Sequence, residues 1–400
     1  MPSRWLLRAL GAVGLAAGCS AALEPGGGAG APAPDPRRPA SPTASGPNDG
    51  GPTPRTNDAA EDAPAPDSAV APLAPSPALR VSPRVGAPTD DDARPLGPGI
   101  VLDGGFGGAS VRQWMHATAT GGAAARADLV LLTAGAGDGA AAWLSAAPFH
   151  SAQTIALASG ATDADLRIAA DIVLRAEVVW FTGGDQAAYV RWKGTPLMAA
   201  VQAVFDRGGV VGGTSAGMII LSSSVNDAFQ GPSENILTSV VVADPYHPSM
   251  HFTQNVLRLP ALARTITDPH FIARDRMGRL ATFMARQVAE GHARPDILGI
   301  GVDDGAALVI GPDGRGQRLA SGAGPGVYVV RGGAPERAVP AQPLVYRALR
   351  VLKLSDATHM IDLSRRCGRG AVRSLDVDGS ATPPYPAEAY ADGPVQDDCL

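Results

Sequence analysis

The stretch G-V-V-G-G-T-S-A-G-M (residues 209–218) sets one hydroxyl, that of Ser215, among glycines. Serine is a poor strand residue and glycine is entropically costly in a strand, so the pattern suits a tight turn after a buried strand. G213-x-S215-x-G217 between a strand and a helix is a nucleophile-elbow pattern. The serine hydroxyl is exposed there, and the next N–H, that of Ala216, is free for an oxyanion. A helix N-cap by Ser215 is the plainer reading and does not exclude the first. In F-T-G-G-D-Q (181–186) the glycines let backbone N–H groups approach a ligand, and Asp185 and Gln186 offer polar contacts or a helix cap. D-P-H-F-I-A-R-D-R-M-G-R (268–279) adds Asp268, His270, Arg274, Arg276 and Arg279 within twelve residues. Arginines that dense beside a nucleophile suit recognition of carboxylates, although Asp275 could simply pair with Arg279 along a helix.

These segments need a scaffold that brings strand ends together. G-I-V-L-D-G-G (99–105), A-D-L-V-L-L-T-A-G (127–135) and A-E-V-V-W-F-T-G-G (176–184) are continuous apolar runs ending in glycine-rich turns. Such runs belong to a parallel sheet covered on both faces. Between them lie helical patterns. Leu197, Val201, Val204 and Phe205 share one face, with Pro196 at the start and Gly208 at the stop. The expected fold is α/β, a doubly wound, mainly parallel sheet with helices on both faces and ligands at the carboxyl ends of its strands.

The 400 residues are unevenly organised and carry a net charge of −5. No Lys/Arg run gives a footprint for nucleic acid. Residues 1–19 read as an export signal, with Arg4 and Arg8 before an apolar run that ends L-A-A-G-C, similar to a lipobox with Cys19 as the lipidated residue. Residues 20–97 are rich in Pro, Ala and Gly and read as a disordered tether. A catalytic domain is expected over 98–365 and a C-terminal tail over 366–400, closed by a Cys367–Cys399 disulfide. The protein is expected at the outer membrane or cell surface as a lipoprotein, otherwise periplasmic or secreted, touching membrane only through the lipid. His247 and His251 stand four apart, but Pro248 and the lack of an evident acid argue against a metal site; no cofactor is expected. His116, His150, His292 and His359 read as structural or surface residues.

The three segments, in that order, resemble the cyanophycinase family: serine peptidases with a class I glutamine amidotransferase-like fold, related to aspartyl dipeptidases. The resemblance implies Ser215 as nucleophile and His270 as general base. Asp304 in V-D-D-G-A-A (302–307) becomes the acid, where the family has glutamate. It further implies an oxyanion hole from Gly184 and Ala216 and substrate contacts from Gln186, Asp268, Arg274 and Arg276, to which the segments themselves add Asp185 and Arg279 as candidate contacts. Pro269 replaces the family's glutamine. The implied substrate is cyanophycin, a poly-aspartate chain bearing arginines on its β-carboxyls, or a related β-aspartyl peptide; a homodimer is among the expectations. Two other readings stay open: an exported binding protein that keeps the fold without catalysis, and an α/β-hydrolase esterase, in which His359 would be the base.

Overall fold

A computed structural model describes residues 74–399, apart from 91–94, 96, 106–107, 122–125, 136–138, 147–148 and 233–235. The expected export signal, Cys19 and most of the expected tether lie outside the described residues. The runs read as strands become β3 (Gly99–Asp103), β4 (Asp128–Thr133), β6 (Val178–Phe181) and β7 (Val210–Thr214), joined by β5 (Ser151–Leu157). They pair in parallel in the order β5-β4-β6-β7-β3. Alternate residues of these strands feed two separate cores. Leu102, Leu132, Val179 and Val211 pack with helices α3 (Asp163–Val173) and α5 (Pro196–Asp206). Val101, Leu131, Trp180 and Val210 pack with α1 (Ala109–Thr120) on the other face. Burial on both faces explains why the strands are apolar throughout. The helix starts are set by side chains: Thr195 caps α5 with proline at the first turn, and Thr162 and Asp165 form a capping box on α3.

Past β3 the sheet continues antiparallel. β12 (Ala306–Ile310) pairs with β3, whereas β11 (Leu298–Val302) pairs in parallel with β10 (Thr265–Asp268) and antiparallel with β14 (Val327–Arg331). Two strands adjacent in sequence thus part company, and the turn between them, residues 303–305, sits where the sheet divides. Helix α8 (Met277–Ala289) covers β10 and β11 through Met277, Leu280 and Met284, in a further core with Ile266 and Tyr328. The α/β class with helices on both faces therefore holds. Its parallel pairings run from β5 to β3 and from β11 through β10 to β8 (Ser224–Asn226), and the remaining pairings are antiparallel.

Both boundaries drawn from composition need correction. Leu79–Val81 and Val85–Gly86 form β1 and β2 on the edge of β5, so the folded chain begins before residue 97. The short anchor is chemical as much as apolar: Leu79 is buried, and Ser76 donates from both N and Oγ, each at 2.7 Å, to the buried carboxylate of Asp165. At the other end, Cys367–Asp378 is strand β17, paired with β15 (Val345–Leu354) and β18 (Val395–Cys399). Alternating Ala371, Leu375 and Val377 reach the interior there, which a tail would not do. A disulfide joins Cys367 to Cys399, which stand opposite each other in the ladder.

Candidate active site

The carboxyl ends of β3, β6, β7, β10 and β11 converge. Ser215 follows β7 directly, with φ 52° and ψ −116°, a conformation costly for any residue with a side chain. The neighbouring glycines are required by contact. A Cβ on Gly213 would stand 2.4 Å from the carbonyl of Gly217, and one on Gly217 would stand 2.3 Å from that of Phe181. The elbow is thus a backbone crossing so close that only hydrogen fits. The Ser215 N–H donates to the carbonyl of Asp103 at 2.9 Å, tying the elbow to the end of β3. Ser215 is the N-cap residue of α6 (Ala216–Ile219), but its hydroxyl makes no cap bond.

That hydroxyl instead lies 2.8 Å from Nε2 of His270. His270 follows β10 by two residues and also has positive φ, 49°. Its Nδ1 is hydrogen-bonded to Asp304. With Nδ1–H donating to that carboxylate, Nε2 is left to accept from Ser215. The two adjacent acids are divided in use. Asp303 is buried and accepts from the N–H groups of Ile272 and Gly326, fixing the turn, whereas Asp304 is half exposed and faces the imidazole. Burial raises the pKa of Asp303 against the pull of those two bonds. Gly105 makes room for the pair: with φ 141°, a Cβ on it would come within 2.5 Å of Asp304 Oδ1 and 3.2 Å of the His270 ring.

A cleft of about 660 Å³ opens beside these groups, lined by Gly184, Gln186, Ala216, Pro269, Arg274 and Arg276 among others. Gly184 has φ 140° and nothing within 4 Å of where a side chain would begin, so its backbone faces open space. Gln186 is buried and donates from Nε2 to the carbonyl of Asn226 at 3.2 Å. Arg274 is exposed in the cleft. Arg276 is almost buried, donating from Nη1 to Asp268 at 3.0 Å and to the Pro269 carbonyl at 2.7 Å. Burial lowers its pKa to about 10, with Asp268 opposing the shift.

Three expected substrate contacts are redirected by the structure. Asp268 is wholly buried and also accepts from Nε of Arg279 at 2.8 Å. Arg279 is buried with it and lies outside the cleft lining, because α8 carries it inward; Asp275 bonds Tyr385 and Tyr390 instead. Asp185 caps α4 (Gln186–Val190) by accepting from Ala187 N at 2.9 Å, and does not line this cleft. His359 is buried in the turn after β15, where Nδ1 accepts from Ser355 N, so it is not placed to serve Ser215. His251 does have an acid partner, Asp227, 24 residues away, which local spacing could not reveal. Among the described residues no group of three or more His, Cys, Asp or Glu could hold a metal ion. Sequence reasoning also passed over Asp103, buried at the end of β3. Its Oδ1 accepts from Gly105 N at 2.7 Å and Thr214 Oγ1 at 3.0 Å, which couples the elbow to the Asp304 side of the site. The glycine pair after V-L-D was the available signal.

Two proteins named cyanophycinase, from Trichormus variabilis and from a Nostoc species, are 32% identical to the chain over 147 residues. Over this stretch the chain is a homologue of cyanophycinases. The match takes in 36% of the chain and 42% of each cyanophycinase, so the chain spans less than half the length of these relatives. No protein-family model matches. Among solved structures, a peptidase from an acI-B1 Actinobacterium is 16% identical, with a TM-score of 0.39 over 64% of this chain and 98% of that one. A putative peptidase E from Listeria monocytogenes is 12% identical, with a TM-score of 0.31 over 53% and 94%.

Proposed function

We propose that the protein is a serine peptidase that hydrolyses β-aspartyl peptides, cyanophycin among them, through an acyl-enzyme. The observation that carries the proposal is the contact chain Ser215–His270–Asp304 at converging strand ends, beside a cleft bearing two arginines. His270 takes the Ser215 proton as Oγ attacks the amide carbon; the N–H groups of Ala216 and Gly184 stabilise the oxyanion. His270 then gives the proton to the leaving amine, and a water activated by the same ring releases the acyl group. Asp304 holds the imidazole in its working tautomer. Arg274 and the partly committed Arg276 would receive carboxylates of the peptide, and Gln186 would stand between them and the elbow. Export and lipidation at Cys19 belong to the same proposal. They are supported by the basic-then-apolar N-terminus, and the Cys367–Cys399 disulfide suits an oxidising compartment.

The test is release of β-Asp-Arg dipeptide from cyanophycin by the purified protein beside Ser215→Ala. Release by the wild type alone supports the reading. Equal release by both proteins would remove Ser215 from the chemistry, and no release from cyanophycin or short β-aspartyl peptides by folded wild type would overturn the peptidase reading.

A further inference from the structure

A second cleft, of about 1020 Å³, adjoins the first along the same strand ends. The two share one wall: Gly184 and Gln186 line the cleft at Ser215, and Asp185 between them lines the second. Its lining is mixed: the apolar side chains of Leu157, Leu166 and Trp192 stand with Ser159, Asp185 and Arg191. The Arg191 guanidinium is exposed and has no carboxylate partner among the described residues. It is nonetheless held. It lies 5.0 Å over the Phe229 ring, which packs against His251 at 5.9 Å between ring centroids. His251 is fixed in turn by Nδ1, 2.6 Å from Oδ2 of Asp227. Asp227 is wholly buried and also accepts from Thr253 Oγ1 at 2.7 Å and Phe229 N at 3.1 Å. A buried carboxylate thus orders a histidine, an aromatic ring and finally a cation at the surface.

We propose that this second cleft binds the continuation of the peptide whose scissile amide lies at Ser215, with Arg191 receiving a carboxylate of that chain. The proposal rests on the peptidase reading. It is argued from the shared wall, from a mixed lining whose apolar side chains would take methylene stems, and from an unpaired guanidinium pre-oriented on its ring. An acidic chain fits this arrangement, since a carboxylate arriving at Arg191 meets a bidentate donor whose ordering cost is already met. It also gives His251 a use, as part of the support under Arg191.

The experiment uses β-aspartyl peptides of increasing length, with the added residues either acidic or converted to their amides. Turnover is measured with the wild type and binding by calorimetry with Ser215→Ala. Acidic extension should lower KM and Kd about three- to fivefold, as one solvent-exposed charge pair would. Amide extension should not. Arg191→Gln should abolish the gain from extension and Arg191→Lys should keep most of it. If the wild type turns peptides over but extension brings no gain, or the gain survives in Arg191→Gln, the second cleft is overturned while the peptidase reading stands. If nothing is turned over yet binding to Ser215→Ala grows with acidic length and depends on Arg191, the cleft stands and the peptidase reading falls. Neither turnover nor length-dependent binding would overturn both.

Discussion

In the proposed mechanism Asp304 serves as the acid although it is only half buried, and that exposure sets what its removal should cost. Two unit charges about 4 Å apart attract by about 1 kcal/mol in water and about 4 kcal/mol at the effective dielectric near a protein surface. The Asp304 side chain is 50% exposed and the His270 ring 16%, so the imidazolium formed during attack gains about 2 kcal/mol from the carboxylate. Asp304→Ala should therefore lower kcat about 30-fold. Folding stability should stay within about 0.5 kcal/mol, because an exposed side chain is being trimmed. The contact can be broken from the other side. Gly105→Ala would put a Cβ 2.5 Å from the same Oδ1 and displace the carboxylate without removing it. The two losses should then not add in the double variant, since both report one contact. Steady-state kinetics on a β-aspartyl peptide, with urea melts as control, reads all three proteins. Activity of Asp304→Ala within twofold of wild type would refute the reasoning, as would a loss as complete as that of Ser215→Ala.

Three further outcomes follow from other parts of the molecule. Asp268→Asn leaves the buried Arg276 and Arg279 without their shared carboxylate, and should cost about 3–5 kcal/mol of stability by urea unfolding. Glu177 is buried beside Asp128, and burial raises its pKa from 4.5 to about 7 against a hydrogen bond from Asp128 N. Because the folded value lies above the unfolded one, its stabilisation is complete below 4.5 and is lost as pH rises through about 7. Glu177→Gln should thus gain stability relative to wild type between pH 5 and 8, approaching about 3 kcal/mol; a pH-independent difference in Tm would refute this. Cys367→Ser opens a loop closed across 32 residues and should cost about 3–4 kcal/mol, read as a lower urea midpoint that added reductant does not lower further.

What was legible in the sequence was whatever local pattern dictates. Strands buried on both faces are apolar at every position, so β3, β4, β6 and β7 could be placed from Val and Leu runs and their terminal glycines. The elbow was legible because Gly213 and Gly217 are forced by backbone crossing, and no other residue type meets that constraint. Direction within the D-P-H-F-I-A-R-D-R-M-G-R segment was not. Arginines bound for solvent and arginines bound for a buried carboxylate look alike in composition, and only the docking of α8 turns Arg279 onto Asp268 while Arg274 stays in the cleft. The role of Pro269 was hidden for a similar reason, since its contribution is a carbonyl that accepts from Arg276. Pairings between distant residues were also out of reach: Ser76 with Asp165, and Asp227 with His251, are contacts that no local period encodes. The second half of β17 alternates exposed Ser374 and Asp376 with buried Leu375 and Val377, and its partner β18 is exposed except at Asp398, so this polar, charge-bearing stretch read as a tail.

The central claim is that His270 makes Ser215 a nucleophile. It is tested most directly by the mass of the protein after exposure to a serine-directed phosphonofluoridate, with the adduct located by peptide mapping. The account predicts one adduct, on Ser215, that is absent from Ser215→Ala and forms at least a hundredfold more slowly, on the order of a lost general base, in His270→Ala. An unlabelled Ser215 in folded wild type, or labelling at the same rate without His270, would contradict it.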